Sequence, residues 1–149
     1  MFQHLLVPTD GSSLSRQTAT EAARFAKAAG AKITGFHALP ELRLMGQHPG
    51  LPTDTRADFE RQARAEADRA LDTIQEAARA EGVACDTVMV ASDRPYEAIL
   101  RAARDRDCDL IFMASHGRRG IEAMIIGSET QKVLTHSKVP VLVWRGNRG

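Results

Sequence analysis

A short segment rich in glycine and hydroxyl side chains is the strongest candidate for chemistry in this chain. Ala114-Ser115-His116-Gly117 is followed, after a gap of nine residues, by Gly127-Ser128. The apolar run 109–113 predicts a buried strand just before it, and a helix is expected to begin at its end. Glycine lets backbone N–H groups approach a ligand closely, and a helix N-terminus offers unpaired donors with a partial positive charge. The pattern fits a phosphate cradle and also an ordinary strand–loop–helix connection, and the spacing alone leaves both open.

Polar side chains near the predicted strand ends could complete such a site. Asp10 follows the first predicted strand, where a carboxylate can accept hydrogen bonds from ribose hydroxyls or from its own turn. Ser128 and Thr130 lie in the first turn of the last predicted helix, so their hydroxyls and the N–H groups of residues 128–130 could hold phosphate oxygens. Ser128 and Gln131 also have the spacing of a capping box, an interpretation that is compatible with ligand binding.

Other reactive residue types lack the partners that catalysis needs. His116 has no carboxylate placed in sequence to orient it and no second histidine at metal-ligand spacing, so we interpret it as a loop hydrogen-bonding residue. His37 fits a structural role, and Arg118 with Arg119 fits either phosphate contact or a solvated loop. The chain has no P-loop, no G-x-G-x-x-G after its first strand and no G-x-S-x-G elbow. We therefore predict no catalytic or metal-ligating residues, and at most a slow hydrolytic activity.

The composition is that of an ordinary single-domain protein. The 149 residues carry 20 Lys+Arg against 19 Asp+Glu, a formal net charge of +1 that gives no reason to expect a nucleic-acid or membrane partner. Cys85 and Cys108 stand apart, so neither a disulfide framework nor a zinc site is expected. The apolar stretch 5–7 is too short for a signal peptide, and no run approaches the ~20 residues of a membrane span. We expect one cytoplasmic domain over 1–149.

Strand and helix patterns alternate along the whole chain. The predicted strands cover 4–8, 32–39, 83–90, 110–113 and 140–144. The predicted helices run from a cap at Ser12 or Ser13 to Gly30, over 58–81, from Asp93 and Pro95 onward, and over 127–137, with a long loop at 40–57. This alternation predicts an α/β fold, a doubly wound parallel sheet with helices on both faces. Such sheets bind ligands at the carboxyl ends of their strands, where segments 8–13 and 114–128 fall.

The two longest helices carry alanine-rich apolar stripes at helical spacing. In the first helix the expected inward residues, beside Phe25, are Ala19, Ala22, Ala23, Ala26 and Ala29. In the 58–81 helix they are Phe59, Ala63, Ala67, Ala70, Leu71, Ile74, Ala77 and Ala78. Both stripes predict helices that pack closely on the sheet.

Taken together, these segments resemble the universal stress protein family. The matching segments are Val7-Pro8-Thr9-Asp10-Gly11-Ser12, Met113-Ala114-Ser115-His116-Gly117, Gly127-Ser128 and Val139-Pro140-Val141-Leu142-Val143. The resemblance implies a five-stranded sheet in the order 3-2-1-4-5 and dimerisation through the last strand. One branch of the family binds ATP through G-x-x-G, nine residues, then G-[ST], and here Ala114 replaces the first glycine. If that position needs a positive φ, alanine is disfavoured by roughly 1 kcal/mol, whereas at negative φ its methyl group is tolerated.

The resemblance also implies a set of nucleotide-contacting residues. Adenosine would lie against Pro8, Thr9, Asp10 and Ala38. Ribose and phosphates would follow Met113, Ala114, Gly117, Gly127, Ser128, Thr130 and the backbone of Glu129. The ligand would be ATP or AMP, with or without Mg²⁺, acting as a regulatory ligand of a stress-response protein.

Two other functions remain open from the sequence. A family member without nucleotide would act as a dimeric protein-interaction module, using residues 40–57 and the exposed strand edge. An ATP-cleaving enzyme of the wider adenine-nucleotide fold group would carry S-G-G-x-D-S after its first strand, which residues 8–13 do not match. We expect a homodimer that pairs the last strand through Val141, Val143 and Trp144, the alternative being a monomer whose edge is covered by residues 145–149.

Overall fold

A single parallel sheet organises the chain. The computed structural model describes residues 1–41, 53–117 and 126–146. Within them the elements are β1 (His4–Pro8), α1 (Ser13–Ala29), β2 (Lys32–Leu39), α2 (Thr53–Ala80), β3 (Cys85–Ala91), α3 (Pro95–Asp105), β4 (Leu110–Ala114), α4 (Ser128–His136) and β5 (Val141–Trp144). The strand order is β3-β2-β1-β4-β5, and each neighbouring pair runs parallel. The predicted α/β class and strand order are confirmed.

The central strands are buried because both faces of the sheet carry helices. β1 pairs with β2 on one side and with β4 on the other, so that Leu5 lies opposite Ile33 and Leu110. Successive side chains of a strand point to opposite faces. Leu5 therefore packs with α1 and α2, whereas Leu6 packs with α3 and α4, and both leucines are fully buried.

Small side chains let α1 lie close against the sheet. Its buried alanines, each at most 1% exposed, are Ala19, Ala22, Ala23 and Ala26. Ser12 caps the helix by accepting the N–H of Ser15, and Gly30 ends it in the left-handed region with φ 70°. The predicted start, stripe and stop of this helix are confirmed.

The second helix begins earlier than predicted. It starts at Thr53, five residues before the predicted start at 58, and ends at Ala80. No proline or glycine lies between 53 and 58, so nothing in the sequence prevents the helix from beginning directly after Pro52. The predicted loop 40–57 is therefore wrong at its carboxyl end, and its residues 42–52 lie outside the described residues.

The inward stripe of α2 is correct only in the carboxyl-terminal part of the helix. Phe59 was expected inside but is 40% exposed, whereas Ala67 is fully buried. The apolar periodicity continues toward the amino end of α2, but the exposure of Phe59 shows that the surface covering the helix does not extend that far. Farther along, α2 lies directly on β2, because a Cβ on Gly35 would come within 3.1 Å of Ile74 Cδ1. Of the helices in the described ranges, none is long and apolar enough to cross a membrane, α2 included.

Several strand and helix ends differ from the prediction by one or two residues. β3 begins at Cys85 rather than 83, because the N–H of Val83 closes the end of α2 on the carbonyl of Ala78 at 2.8 Å, behind Gly82 with its φ of 70°. β4 extends to Ala114, α4 occupies Ser128–His136, and β5 begins at Val141. The capping bond explains the two-residue shift of β3, and the other shifts amount to one residue, the usual variation at the ends of strands and helices.

Both cysteines are free thiols, as their separation in the sequence predicts. Burial, together with the nearby Asp86 carboxylate, raises the pKa of Cys85 to about 11 and that of Cys108 to about 12. Both residues are therefore protonated at neutral pH, and Cys108 packs as a small apolar side chain.

A chain of polar side chains crosses the amino end of the sheet. His4 Nε2 lies 2.7 Å from Thr34 Oγ1, which donates to Asp86 Oδ1 at 2.6 Å, and Arg106 donates to the other Asp86 oxygen at 3.1 Å. Since the Thr34 hydrogen goes to Asp86, His4 donates to Thr34. Burial and the positive charge of Lys32 lower the pKa of His4, which favours a neutral ring whose hydrogen is on Nε2, the atom that donates to Thr34.

Candidate functional site

The loops after β1 and β4 meet at the carboxyl end of the sheet. β1 and β4 are neighbours, as the cleft hypothesis required. A Cβ built on Gly117 would overlap the Asp10 carboxylate, so the two loops are in contact at this point. Only glycine fits there without moving Asp10, which explains the residue type by close approach rather than by a positive φ.

The Asp10 carboxylate makes the turn interaction and also contacts the opposite loop. Its Oδ1 accepts the N–H of Ser12 at 2.9 Å, which is the turn interaction expected of an aspartate there. Its Oδ2 is the oxygen that lies against Gly117. The carboxylate is therefore held by its own turn while it lies against the opposite loop.

Gly127 lies against the backbone of the β4 loop. Its N–H donates to the Ser115 carbonyl at 2.7 Å, and a Cβ on Gly127 would lie 3.0 Å from His116 Cα. Its φ is −59° and its ψ is 153°, so the requirement is steric. Gly127 therefore brings the start of α4 close to the end of β4, at the position where the sequence predicts phosphate binding.

The first turn of α4 keeps its N–H groups available. Gly127 is the N-cap residue and makes no side-chain cap bond. The predicted capping box is therefore wrong: Ser128 already lies inside the helix, and Gln131 donates instead to the Ile126 carbonyl at 3.1 Å. Among the described residues, nothing accepts the N–H groups of residues 128–130. Such a helix end suits an anion.

The two hydroxyls of this turn differ in their freedom. Thr130 is 3% exposed, and its Oγ1 donates to the Ala114 carbonyl at 2.9 Å, which ties α4 to the end of β4. Ser128 is exposed and makes no side-chain hydrogen bond within the described parts of the chain. Ser128 is thus the hydroxyl that can donate to a ligand, while Thr130 fixes the helix start and has only lone pairs to offer.

The residues predicted to surround adenosine lie at the carboxyl ends of β1 and β2. Pro8 is the last residue of β1, and Thr9 continues from it with its N–H on the Phe36 carbonyl at 2.8 Å. Ala38 lies near the end of β2, opposite Val90 of β3. β1 and β2 thus bring these residues to the carboxyl end of the sheet, where Asp10 also lies.

The remaining candidate residues belong to β4 or follow it in the chain. Met113 is 6% exposed and packs among the residues that α3 and α4 cover, so its side chain belongs to the core. His116 Nδ1 lies 3.2 Å from Ser115 Oγ, which fits the predicted hydrogen-bonding role. Arg118 and Arg119 lie outside the described residues. Within those ranges no group of three His, Cys, Asp or Glu side chains could hold a metal ion.

The family comparisons decide the identity. The profile of the Universal stress protein family matches residues 1–145. The chain belongs to the universal stress protein family. A universal stress protein of Thermus aquaticus, encoded in the 3′ region of a QAH/OAS sulfhydrylase, is 34% identical over 145 residues, which cover 97% of this chain and 100% of the relative.

Solved structures of similar proteins share the fold of this universal stress protein. The hypothetical protein MJ0577 of Methanocaldococcus jannaschii superimposes with a TM-score of 0.84 at 23% identity, covering 100% of this chain and 99% of that one. A universal stress protein in complex with cAMP gives 0.69 at 24% identity and 97% of both chains. The Archaeoglobus fulgidus universal stress protein in complex with dAMP gives 0.67 at 17% identity, with 96% of this chain and 97% of that chain covered.

Ala114 does not strain the backbone of this universal stress protein. It is the last residue of β4 and lies opposite Trp144 of β5. Of the non-glycine residues in the described ranges, only Asp107 has a positive φ. The alternative that a positive φ penalises alanine at this motif position is therefore wrong, and the methyl group sits in ordinary strand geometry.

Sequence reasoning missed the role of the Glu129 side chain. Its Oε2 accepts the N–H of Tyr96 at 2.9 Å, in the first turn of α3, and its Oε1 lies 3.5 Å from Lys132 Nζ. The N-cap residue of α3 is Arg94, which makes no cap bond of its own. An arginine before Pro95, where Ser, Thr, Asp or Asn is usual, was the signal that the acceptor comes from elsewhere. Glu129 thus presents its backbone to the cleft and its carboxylate to α3.

Proposed function

We propose that this universal stress protein binds an adenine nucleotide, ATP or AMP, as a regulatory ligand in the cleft between the β1 and β4 loops. The observation that carries the proposal is the first turn of α4, whose N–H groups have no acceptor among the described residues, at the end of the sheet where Gly117 and Asp10 bring the two loops together. Two proteins of the same fold support the ligand class, since they are complexes with cAMP and dAMP.

Adenosine is assigned to the β1 and β2 side of the cleft and phosphate to the α4 side. Asp10 accepts the ribose hydroxyls, and Pro8, Thr9 and Ala38 border the base. The phosphate side consists of Met113, Ala114, Gly117, Gly127, Ser128, Thr130 and the backbone of Glu129. Mg²⁺, if bound, is carried by the phosphates and water, because the described residues offer no three-ligand group.

The proposed assembly is a cytoplasmic homodimer that joins the β5 strands of two copies. Among the described residues β5 pairs with β4 alone, so its other edge presents backbone groups without a partner strand there. Its residues Val141 to Trp144 are all half-buried. Trp144 Nε1 is buried and makes no hydrogen bond within the described residues. Antiparallel pairing of two such edges is isologous and closes the assembly at two copies.

Mass spectrometry of the small molecules released from freshly purified protein tests the ligand. ATP or AMP at about one per protomer, with calorimetric binding when the nucleotide is added back, is the expected result. Ser128→Ala should then weaken binding by about 1 kcal/mol, the net value of one hydroxyl hydrogen bond. An empty protein that also ignores added ATP and AMP would contradict nucleotide binding and leave the dimeric interaction module as the function.

Sedimentation of the wild type and of edge variants tests the assembly separately. A dimer at micromolar concentration is expected for the wild type. Val141→Lys and Val143→Lys should give monomers, because a charged side chain beside the proposed two-fold axis faces its own copy. A wild-type monomer, or lysine variants that remain dimeric, would exclude this interface.

A further inference from the structure

A second concavity lies on the other side of the β1 loop, between α1 and α2. Its volume is about 260 Å³, and its lining residues are Gly11, Arg16, Glu66, Arg69, Ala70 and Thr73. It is on the sheet face covered by α1 and α2, whereas the proposed phosphate position lies at the start of α4 on the opposite face. The pocket shares only the β1 loop with the nucleotide cleft, since Gly11 follows Asp10.

Two guanidinium groups in this pocket have no carboxylate partner. Within the described residues, neither Arg16 nor Arg69 has an acidic oxygen within 4.0 Å, whereas Arg24 pairs with Glu21 at 2.8 Å. Arg16 Nη1 donates to the Gly11 carbonyl at 3.1 Å, which holds its guanidinium at the mouth of the pocket. Since a guanidinium carries five N–H donors, most of these donors are left for a ligand.

The surroundings of Arg16 strengthen the positive potential. Arg16 lies at the start of α1, where the helix dipole already places partial positive charge, and the first turn of α1 contains no acidic residue. Because Arg16 is exposed, water screens the cost of a cation at that position, and a bound anion would interact favourably with both the guanidinium and the helix end. Among the described lining residues Glu66 alone is acidic, and the Thr73 hydroxyl hydrogen is used on the Arg69 carbonyl at 3.1 Å. The guanidiniums are therefore the donors of the pocket.

We infer that this pocket binds a phosphate group, free or as a small phosphate monoester, between Arg16 and Arg69. Planar guanidiniums match the oxygens of phosphate in pairs of charge-assisted hydrogen bonds. A volume of about 260 Å³ is below the ~300 Å³ at which pockets begin to enclose drug-sized ligands, so the occupant is a small group and not a whole nucleotide. Glu66 lowers the affinity for free phosphate and can accept a hydroxyl of an ester.

Phosphate titration of the full chain at low ionic strength, followed by the amide signals of Gly11, Arg16 and Thr73 in NMR spectra, tests the inference. Inorganic phosphate should shift these signals, and Arg16→Gln or Arg69→Gln should each raise the Kd about tenfold, the value of one charge-assisted hydrogen bond. Glu66→Gln should lower the Kd severalfold. Arg79→Gln is the matched control, because Arg79 is an exposed arginine of the same helix outside this pocket.

Ribose 5-phosphate as a second probe distinguishes the two sources of phosphate. Tighter binding than inorganic phosphate, lost in Glu66→Gln, assigns the pocket to an organic phosphate, and equal binding assigns it to free phosphate. Unshifted signals in the wild type, or an equal loss in Arg79→Gln, would overturn the inference by showing no binding or only general attraction to positive charge. The proposed nucleotide cleft would also accept ribose and phosphate, but binding there should shift the amide signals of residues 128–130 and should not depend on Arg69. Shifts at Arg16 and Thr73 that are lost in Arg69→Gln and kept in Ser128→Ala therefore test this pocket separately from the nucleotide cleft.

Discussion

At the amino end of the sheet polar groups satisfy one another, whereas at the carboxyl end donors are left over. His4, Thr34, Asp86 and Arg106 form a continuous chain of hydrogen bonds across three strands and the end of α3. At the opposite end, glycine removes the side chains that would fill the cleft, and the N–H groups at the start of α4 find no acceptor among the described residues.

The difference separates stability from binding along the same strands. Buried polar groups contribute to stability only when they are hydrogen-bonded, and the amino end meets that condition within the chain. At the carboxyl end the described residues leave backbone N–H groups without acceptors and glycines without side-chain contacts. A ligand with phosphate oxygens would supply those hydrogen bonds and contacts. Changes at the amino end should therefore alter the free energy of unfolding alone, and changes at the carboxyl end should alter ligand affinity first.

Gly127→Val should produce the largest effect on binding. Its β-carbon would lie 3.0 Å from His116 Cα, so the loop and the start of α4 must move apart. The φ of −59° is accessible to valine, so the effect is steric and confined to the cleft. We expect loss of measurable nucleotide binding by calorimetry, with a native circular dichroism spectrum.

Gly127→Ala should fall between the wild type and the valine variant, because one methyl group already reaches the backbone of His116. Wild-type affinity in both variants would mean that the close approach of Gly127 to the β4 loop has no part in binding, and the contrast between the two ends would lose its main support.

Thr34→Val should be the most damaging change at the amino end. Thr34 is fully buried and bonds both His4 and Asp86, so valine leaves the His4 donor buried without an acceptor. The cost is about 1–3 kcal/mol in the free energy of unfolding, measured by urea denaturation, with unchanged nucleotide affinity. Thr20→Val is the control, since Thr20 is exposed on α1 and should change stability by less than about 0.5 kcal/mol.

Acid should weaken the amino end through His4. Burial and Lys32 lower its pKa, although the carboxylates of Asp86 and Asp109 act in the other direction. As the pH falls below the ordinary value of 6.5, the unfolded chain binds the proton first. Stability then decreases by at most about 1.4 kcal/mol per pH unit until the folded pKa is reached. His4→Gln, which can still donate to Thr34, should flatten the profile between the two pKa values, and an unchanged slope in this variant would exclude His4 as the cause.

Glu129 tests whether the carboxyl end is held in place from outside the cleft. Glu129→Ala removes the acceptor for the Tyr96 N–H, at a cost of about 0.5–2 kcal/mol for a lost helix cap. Glu129→Gln keeps an oxygen acceptor and should lie close to the wild type. Hydrogen exchange at the Tyr96 amide reports the cap directly. Equal exchange in the alanine and glutamine variants would show that the carboxylate does not cap α3.

Regular patterns in the sequence predicted the fold because they depend on local periodicity. The alternation of strands and helices, the Ser12 cap and the Gly30 stop were all readable, since each depends on a few neighbouring residues. Phe59 was misplaced because helical periodicity says which face is apolar but not where the covering surface ends. The predicted start of α2 came five residues too late. The prolines and glycines up to Pro52 indicate a loop, but they do not show where that loop ends.

Contacts between distant segments were the part that the sequence did not predict. The Glu129 bond to Tyr96 joins residues 33 positions apart, and the His4–Thr34–Asp86 chain joins three strands. The spacing of Ser128 and Gln131 suggested a capping box, but the close approach of Gly127 to Ser115 sets where α4 begins. Such contacts follow from the packing of elements, which a single sequence does not encode at fixed spacing.

Ala114→Gly should have the smallest effect on binding. Ala114 is the position at which this chain lacks the first glycine of the motif that the ATP-binding branch of the family carries. Ala114 lies in strand geometry without a positive φ, so glycine relieves no strain. We expect unchanged ATP affinity and a loss of about 0.5–1 kcal/mol in stability from the added freedom of the unfolded chain. Ala91→Gly, at the exposed end of β3, is the matched control for the stability term. Tighter ATP binding in Ala114→Gly would show that the methyl group stands in the path of the ligand, because the backbone itself gains nothing from the change.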